Sequence, residues 1–167
     1  MSRTSRLQAL RDEHAALLPR VDALGKTADL VGTIAVSTLR ERLDEDYAFL
    51  ASVLLPHARA EDDVLYPAVA DLMGSPLATT TMSVDHTEIA ELVGELGGLR
   101  QTLTTDEVST QTARELRRIL YGLHTVIRIH FRKEEEVYLP LLEDALNDAA
   151  ADRLLARMHE AARPSVG

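Results

Sequence analysis

One motif occurs twice along the chain, and it limits the possible folds more than any other feature. His57-Ala58-Arg59-Ala60-Glu61 leads to Tyr66-Pro67, and His130-Phe131-Arg132-Lys133-Glu134 leads to Leu139-Pro140. In each copy Glu follows His by four residues and Pro follows it by ten. Each copy also has a lone upstream histidine: His14 lies 43 residues before His57, and His86 lies 44 before His130. The apolar positions repeat as well. A shift of 72 residues carries Leu10, His14, Leu17, Val21 and Leu24 onto Met82, His86, Ile89, Val93 and Leu96. A shift of 73 carries Leu43, Leu50, Leu54, Val64 and Pro67 onto Leu116, Leu123, Ile127, Val137 and Pro140. Two helix-pair units of about 73 residues, roughly 1–73 and 74–147, account for this. Packed face to face they predict a four-helix bundle with a pseudo-twofold axis.

Periodicity places the elements. Leu7, Leu10, His14, Leu17, Leu18, Val21 and Leu24 recur at helical spacing over about 3–24, with Pro19 a candidate kink and Gly25 to Gly32 a connection. The second helix is predicted over about 33–72, bent or interrupted at Pro56 and Pro67, and Gly74-Ser75-Pro76 marks a break. The third covers about 77–103, weakened by Gly94, Gly97 and Gly98. Thr104-Thr105-Asp106-Glu107 resembles a helix start, and the fourth helix follows over about 106–147, its stripe including Val137 and Leu141. A short C-terminal helix over about 149–162 is expected to cover one end of the bundle. No strand pattern is visible, so the fold class is all-α. A length of 167 residues suits a single domain, 1–167.

Composition narrows the partners. Eighteen Lys and Arg against 27 Asp and Glu give a net charge of −9 with no basic stripe, which argues against nucleic acid and anionic membranes. The absence of cysteine excludes disulfides, thiolate metal sites and thiol catalysis. No long apolar run predicts a membrane span. Met1-Ser2-Arg3-Thr4-Ser5-Arg6 leads into an amphipathic pattern rather than an apolar signal core, so a cytoplasmic protein is expected.

Six polar residues interrupt the apolar stripes: His14, His57, Glu61, His86, His130 and Glu134. His and Glu four apart share one helix face. A buried carboxylate needs a partner, so these residues form either a hydrogen-bonded imidazole–carboxylate network or a metal site. Metal ions satisfy all six donors at once and explain the repeated spacing. Imidazole with carboxylate suits iron, manganese or zinc. His124, Tyr47 and Asp46 flank the stripes as candidates for supporting the ligands, and His159 lies outside the repeat, on the expected surface. In Glu61-Asp62-Asp63 and Glu134-Glu135-Glu136 only the first members are expected to face inward.

HARAEDDVLYP and HFRKEEEVYLP resemble the paired metal motifs of the hemerythrin-like family, the HHE cation-binding domains, and the similarity runs from His14 to Pro140. The resemblance implies an up-down-up-down four-helix bundle and a non-heme site of two iron ions joined by an oxo or hydroxo bridge. By it His14 and His57 bind one iron, His86 and His130 the other, and Glu61 and Glu134 bridge both. Oxygen-carrying members have a fifth histidine four residues after the third, where this chain has Ala90. Each iron then has five donors, and the site is nearly symmetric with one open position at each metal, to be filled by water or another side chain. The implied ligands are oxygen, nitric oxide or hydrogen peroxide, bound, sensed or broken down by catalase-like turnover. The competing readings are iron storage without turnover and a metal-free helical interaction module.

Overall fold

The computed structural model describes residues 6–103 and 107–163. Among them the chain forms five helices and no strand. Helix α1 is Gln8–Leu30. Helix α2 runs from Val36 to Met73 as three α-helical pieces, Val36–Phe49, Leu55–Ala60 and Tyr66–Met73, joined by π-helical turns at Leu50–Leu54 and Glu61–Leu65. Helix α3 is Thr80–Gln101. Helix α4 joins Thr110–Lys133 to Leu139–Ala145 through a π turn at Glu134–Tyr138. Helix α5 is Asp148–Ala161. The expected start of the first helix at residues 3–5, and residues 104–106 of the expected helix start, lie outside the described residues.

Helices α1 and α3 each pack against both α2 and α4, so the four long helices form a ring in chain order, as an up-down-up-down bundle requires. Helix α5 lies across α2, against the Leu55–Ala60 and Glu61–Leu65 stretches. Two apolar clusters fill the interior. One runs from Val21 and Leu24 through Leu39, Leu43, Leu96, Leu116 and Leu123. The other joins Leu10, Leu65, Met82, Leu139 and Leu142 to Ala151, Leu154 and Met158 of α5. His14, His57, Glu61, His86, His130 and Glu134 are all buried at the level between them.

The structure corrects the sequence reading in three places. Helix α1 passes through Pro19 and Gly25 and ends at Leu30, because Leu24, Thr27, Ala28 and Val31 extend its buried stripe. That packing outweighs the roughly 1 kcal/mol cost of a mid-helix glycine. The prolines of α2 do not break it. Pro56, Pro67 and Pro140 each follow a π turn. In those turns the N–H of Leu55, Tyr66 and Leu139 donates to the carbonyl five residues back, at Leu50, Glu61 and Glu134. A proline lacks the N–H and crowds the preceding turn, and the wider turn accommodates both defects within a continuous helix. The third correction follows from the second. The π turn advances the inward stripe of α4 by one residue, so Tyr138, Leu139 and Leu142 are buried and Val137 is 56% exposed. Its counterpart Val64 is buried because α5 covers that side of α2.

Helix α3 continues through all three of its glycines. At Gly97 the lack of a side chain is required: a Cβ there would sit 2.8 Å from a ring carbon of Tyr47. Gly74 closes α2 with a left-handed φ of 65°.

Candidate metal centre

The repeat brings its six polar side chains to one place. Glu61 and Glu134 open their π turns, and each lies one helical turn after a histidine. Glu61 faces two ways. Its Oε1 lies 2.8 Å from His57 Nε2 and 3.5 Å from His14 Nε2, and its Oε2 lies 3.3 Å from His86 Nε2 and 3.8 Å from His130 Nε2. Glu134 also straddles the halves, with Oε2 3.4 Å from His14 Nε2 and Oε1 3.5 Å from His130 Nε2. His14, His57 and Glu61 form one group of converging buried donors, and Glu61, His86 and His130 form a second that shares Glu61.

These contacts fit a metal better than they fit one another. His57 Nε2, Glu61 Oε2 and Glu134 Oε2 are buried with no hydrogen-bond partner, although each lies near other polar atoms. His57 Nε2 is close to Glu61 without hydrogen-bond alignment. His86 Nε2 and His130 Nε2 approach to 2.9 Å, so at most one proton fits between them. Orphaned buried acceptors are costly, and a shared cation satisfies them together. The donor set of imidazole nitrogen and carboxylate oxygen, with no thiolate, suits iron, manganese or zinc.

With no metal bound, the cluster compensates itself by protonation. Burial lowers the basicity of His57, but the Glu61 charge and the nearby Glu13 carboxylate overcome it and raise the pKa to about 10. His130 is likewise raised to about 10, burial being overcome by Glu134 and Glu61. His14 is raised in the same way. Burial pushes the Glu61 carboxyl up, yet the surrounding histidines hold it well below the usual carboxylate range.

Every one of the four histidines has a carboxylate at its other ring nitrogen. Glu135 lies 2.8 Å from His14 Nδ1, Asp62 2.8 Å from His86 Nδ1, Asp85 3.0 Å from His130 Nδ1 and Glu13 3.6 Å from His57 Nδ1. Such outer carboxylates fix the ring orientation and raise the basicity of the coordinating nitrogen. The expectation that Asp62 and Glu135 belong to a solvated face is therefore corrected. Each reaches an imidazole on a neighbouring helix, Asp62 that of His86 on α3 and Glu135 that of His14 on α1. The repeat held the signal: an acid directly precedes each upstream histidine (Glu13, Asp85), and an acid directly follows each motif glutamate (Asp62, Glu135).

A further residue escaped the sequence reading. The Tyr66 hydroxyl donates to Glu134 Oε1 at 2.7 Å and lies 3.1 Å from His130 Nε2 and 3.4 Å from His86 Nε2. Burial and the two glutamates push its pKa far upward. Its repeat counterpart is the fully buried Leu139, so the near-symmetry expected of the site is broken at this pair. The remaining candidates stand apart from the cluster. His124 faces Gly25 and lies 3.4 Å from Asp22. Tyr47 packs against Gly97 beneath the Arg100 guanidinium, 4.2 Å from its ring centre. Asp46 is buried against Thr27, and burial raises its pKa. His159 reaches Glu13 at 2.9 Å from the mostly exposed face of α5.

The sequence profile of the hemerythrin HHE cation binding domain matches this chain twice, over residues 5–107 and 77–164. The two matches start 72 residues apart, the offset of the internal repeat. The chain belongs to the hemerythrin HHE cation-binding family. It is also similar to zinc finger protein BRUTUS of Arabidopsis thaliana, 32% identical over 132 residues. That stretch is 77% of this chain and 10% of that protein, so the chain spans about a tenth of the relative it matches. No solved structure matches. In this hemerythrin-family chain the buried His/Glu cluster has the donors to hold a metal ion, and no described helix is long and apolar enough to cross a membrane.

Proposed function

We propose that the chain holds two iron ions and presents them to a small uncharged ligand: oxygen, nitric oxide or hydrogen peroxide. On this reading His14 and His57 serve one ion, His86 and His130 the other, and Glu61 and Glu134 are shared. The observation that carries it is the pair of three-residue donor groups meeting at Glu61, whose two oxygens face opposite halves of the site. Family membership supports cation binding, and iron is the metal the family resemblance implies. Bound iron supplies a reversible redox change and a Lewis-acidic position for the ligand.

The protein's own groups divide the remaining work. Glu135, Asp62, Asp85 and Glu13 hold the imidazoles with Nε2 pointing inward. The apolar clusters above and below keep bulk water from the donors. The Tyr66 hydroxyl holds its proton and donates it toward Glu134 on the His86–His130 side. That side is thereby filled by the protein itself, whereas Leu139, the repeat counterpart of Tyr66, has no hydroxyl to donate.

The test is to load the purified chain with ferrous iron without oxygen, count metal per chain, and record the visible spectrum on adding nitric oxide, oxygen and then peroxide. Two irons per chain and a spectral response to nitric oxide are expected, and both are lost in Glu61→Ala. Oxygen evolution from peroxide would assign turnover. A chain that takes up no iron, or one that binds only zinc, would refute the proposal.

A further inference from the structure

We propose that small uncharged ligands reach the centre through a groove beside His57, and that the repeat-related face at His130 is closed to them. The inference rests on the metal-centre reading above. Helices α1, α2 and α5 enclose a groove of about 430 Å³ walled by Leu17, Val53, Pro56, Ala60 and Met158, with His57 in its lining and the Glu13–His159 pair also along it. A groove of this size is far larger than one water-sized ligand needs and matches the lower range of small-molecule sites.

The comparison between repeats identifies the permissive residue. Lys133 stands where the first copy has Ala60. It pairs with Asp85, the same carboxylate that holds His130 Nδ1, and so seals that face with a salt bridge. At the first copy the short Ala60 side chain lines the groove with no charge to seal it, and Glu13 is shared with the exposed His159 instead. The consequence is visible in exposure: the His57 side chain is 11% exposed and that of His130 is 2%. A second groove approaches His14 between α1 and α4. There Phe131 stacks on the imidazole at 4.5 Å, and Glu135 covers Nδ1 while paired to Arg11, so the ring is screened. Glu13 pairs with His57 and His159, and Arg163 also lines the groove, so its ionic lining is mixed rather than acidic.

The absence of cysteine allows a selective test. Val53→Cys in the groove and Ile129→Cys in the His14 groove are each labelled with a bulky maleimide on the full, iron-loaded chain. Both positions are exposed, so folding is retained. The label at Val53 is expected to slow nitric oxide association by at least about tenfold, within the range over which association rates vary, with iron content unchanged. The label at Ile129 is expected to leave the rate alone. Slowing at Ile129 in place of Val53, or at neither, overturns the proposal. A second measurement needs no iron. In the metal-free chain under oxygen pressure, paramagnetic relaxation is expected to be stronger at the methyl groups of Leu17, Ala60 and Met158 than at Leu18 and Ile129. The reverse order overturns the groove assignment. If the metal-free chain shows the expected order but takes up no iron, the groove stands and the proposed function falls.

Discussion

At the scale of single residues, the centre is a group of buried imidazoles and carboxylates that need one another. This fixes the pH response of the metal-free chain. His57 and His130 have folded pKa values near 10 against an ordinary 6.5, so their contribution is complete below 6.5 and is lost as pH rises through 10. Glu61 is held well below 4.5, so its contribution is present above 4.5 and is lost as pH falls. Thermal melts of the metal-free chain are expected to peak between these limits and to decline toward alkaline pH. Metal reverses the trend, because coordination needs neutral imidazoles and releases protons, so the loaded chain should gain stability from pH 6 to 8. Tyr66→Phe removes a hydrogen bond to a charged group. It should cost about 1.5–3 kcal/mol in denaturant unfolding of the metal-free chain. The six central residues were legible because they interrupt apolar stripes in register. The four outer carboxylates and Tyr66 were not, since a charge next to a ligand looks like ordinary helix surface until the backbone turn that aims it is known.

At the scale of the helix, the proline of each motif follows the π turn that carries the inward glutamate. Pro67 and Pro140 sit six residues after Glu61 and Glu134, and a π turn opens at each glutamate. Replacing either proline restores a backbone donor and lets the turn relax to α-helical winding, which rotates Glu and the acid after it away from their partners. Pro67→Ala should therefore keep its helical circular dichroism and weaken metal binding by about 10–100-fold, the scale on which supporting groups act at metal sites. An unchanged affinity would show that the π turn is incidental. Gly97→Ala tests packing instead. The added methyl meets the Tyr47 ring, so about 1–3 kcal/mol of destabilisation is expected with metal stoichiometry unchanged. Element existence was readable from periodicity throughout. Tertiary packing set the missed end of α1, whereas the passage through the α2 prolines and the phase shift at Val137 come from the π turns that precede the prolines, which a straight 3.6-residue period cannot express.

At the scale of the whole molecule, a symmetric repeat carries an asymmetric addition. Helix α5 has no counterpart in the duplication, and it packs mainly on the stretch of α2 that bears His57 and Glu61. It buries Val64, walls the groove with Met158 and places His159 on Glu13. Leu154→Ala should cost about 2–5 kcal/mol, as truncation of a buried leucine does, and should speed loss of metal to a chelator. The bundle and its pseudo-twofold were legible from the 72- and 73-residue shifts. The inequality of the halves was not, because it depends on which face the C-terminal helix selects.

The measurement that bears most directly on the centre is the metal stoichiometry of the purified chain and of Glu61→Ala, each titrated with ferrous iron without oxygen. Two ions per wild-type chain, a large rise in melting temperature on loading, and the loss of both ions in the variant are the predicted results. A single ion unaffected by Glu61→Ala, or no uptake with the melting temperature unmoved, would contradict a shared-carboxylate centre.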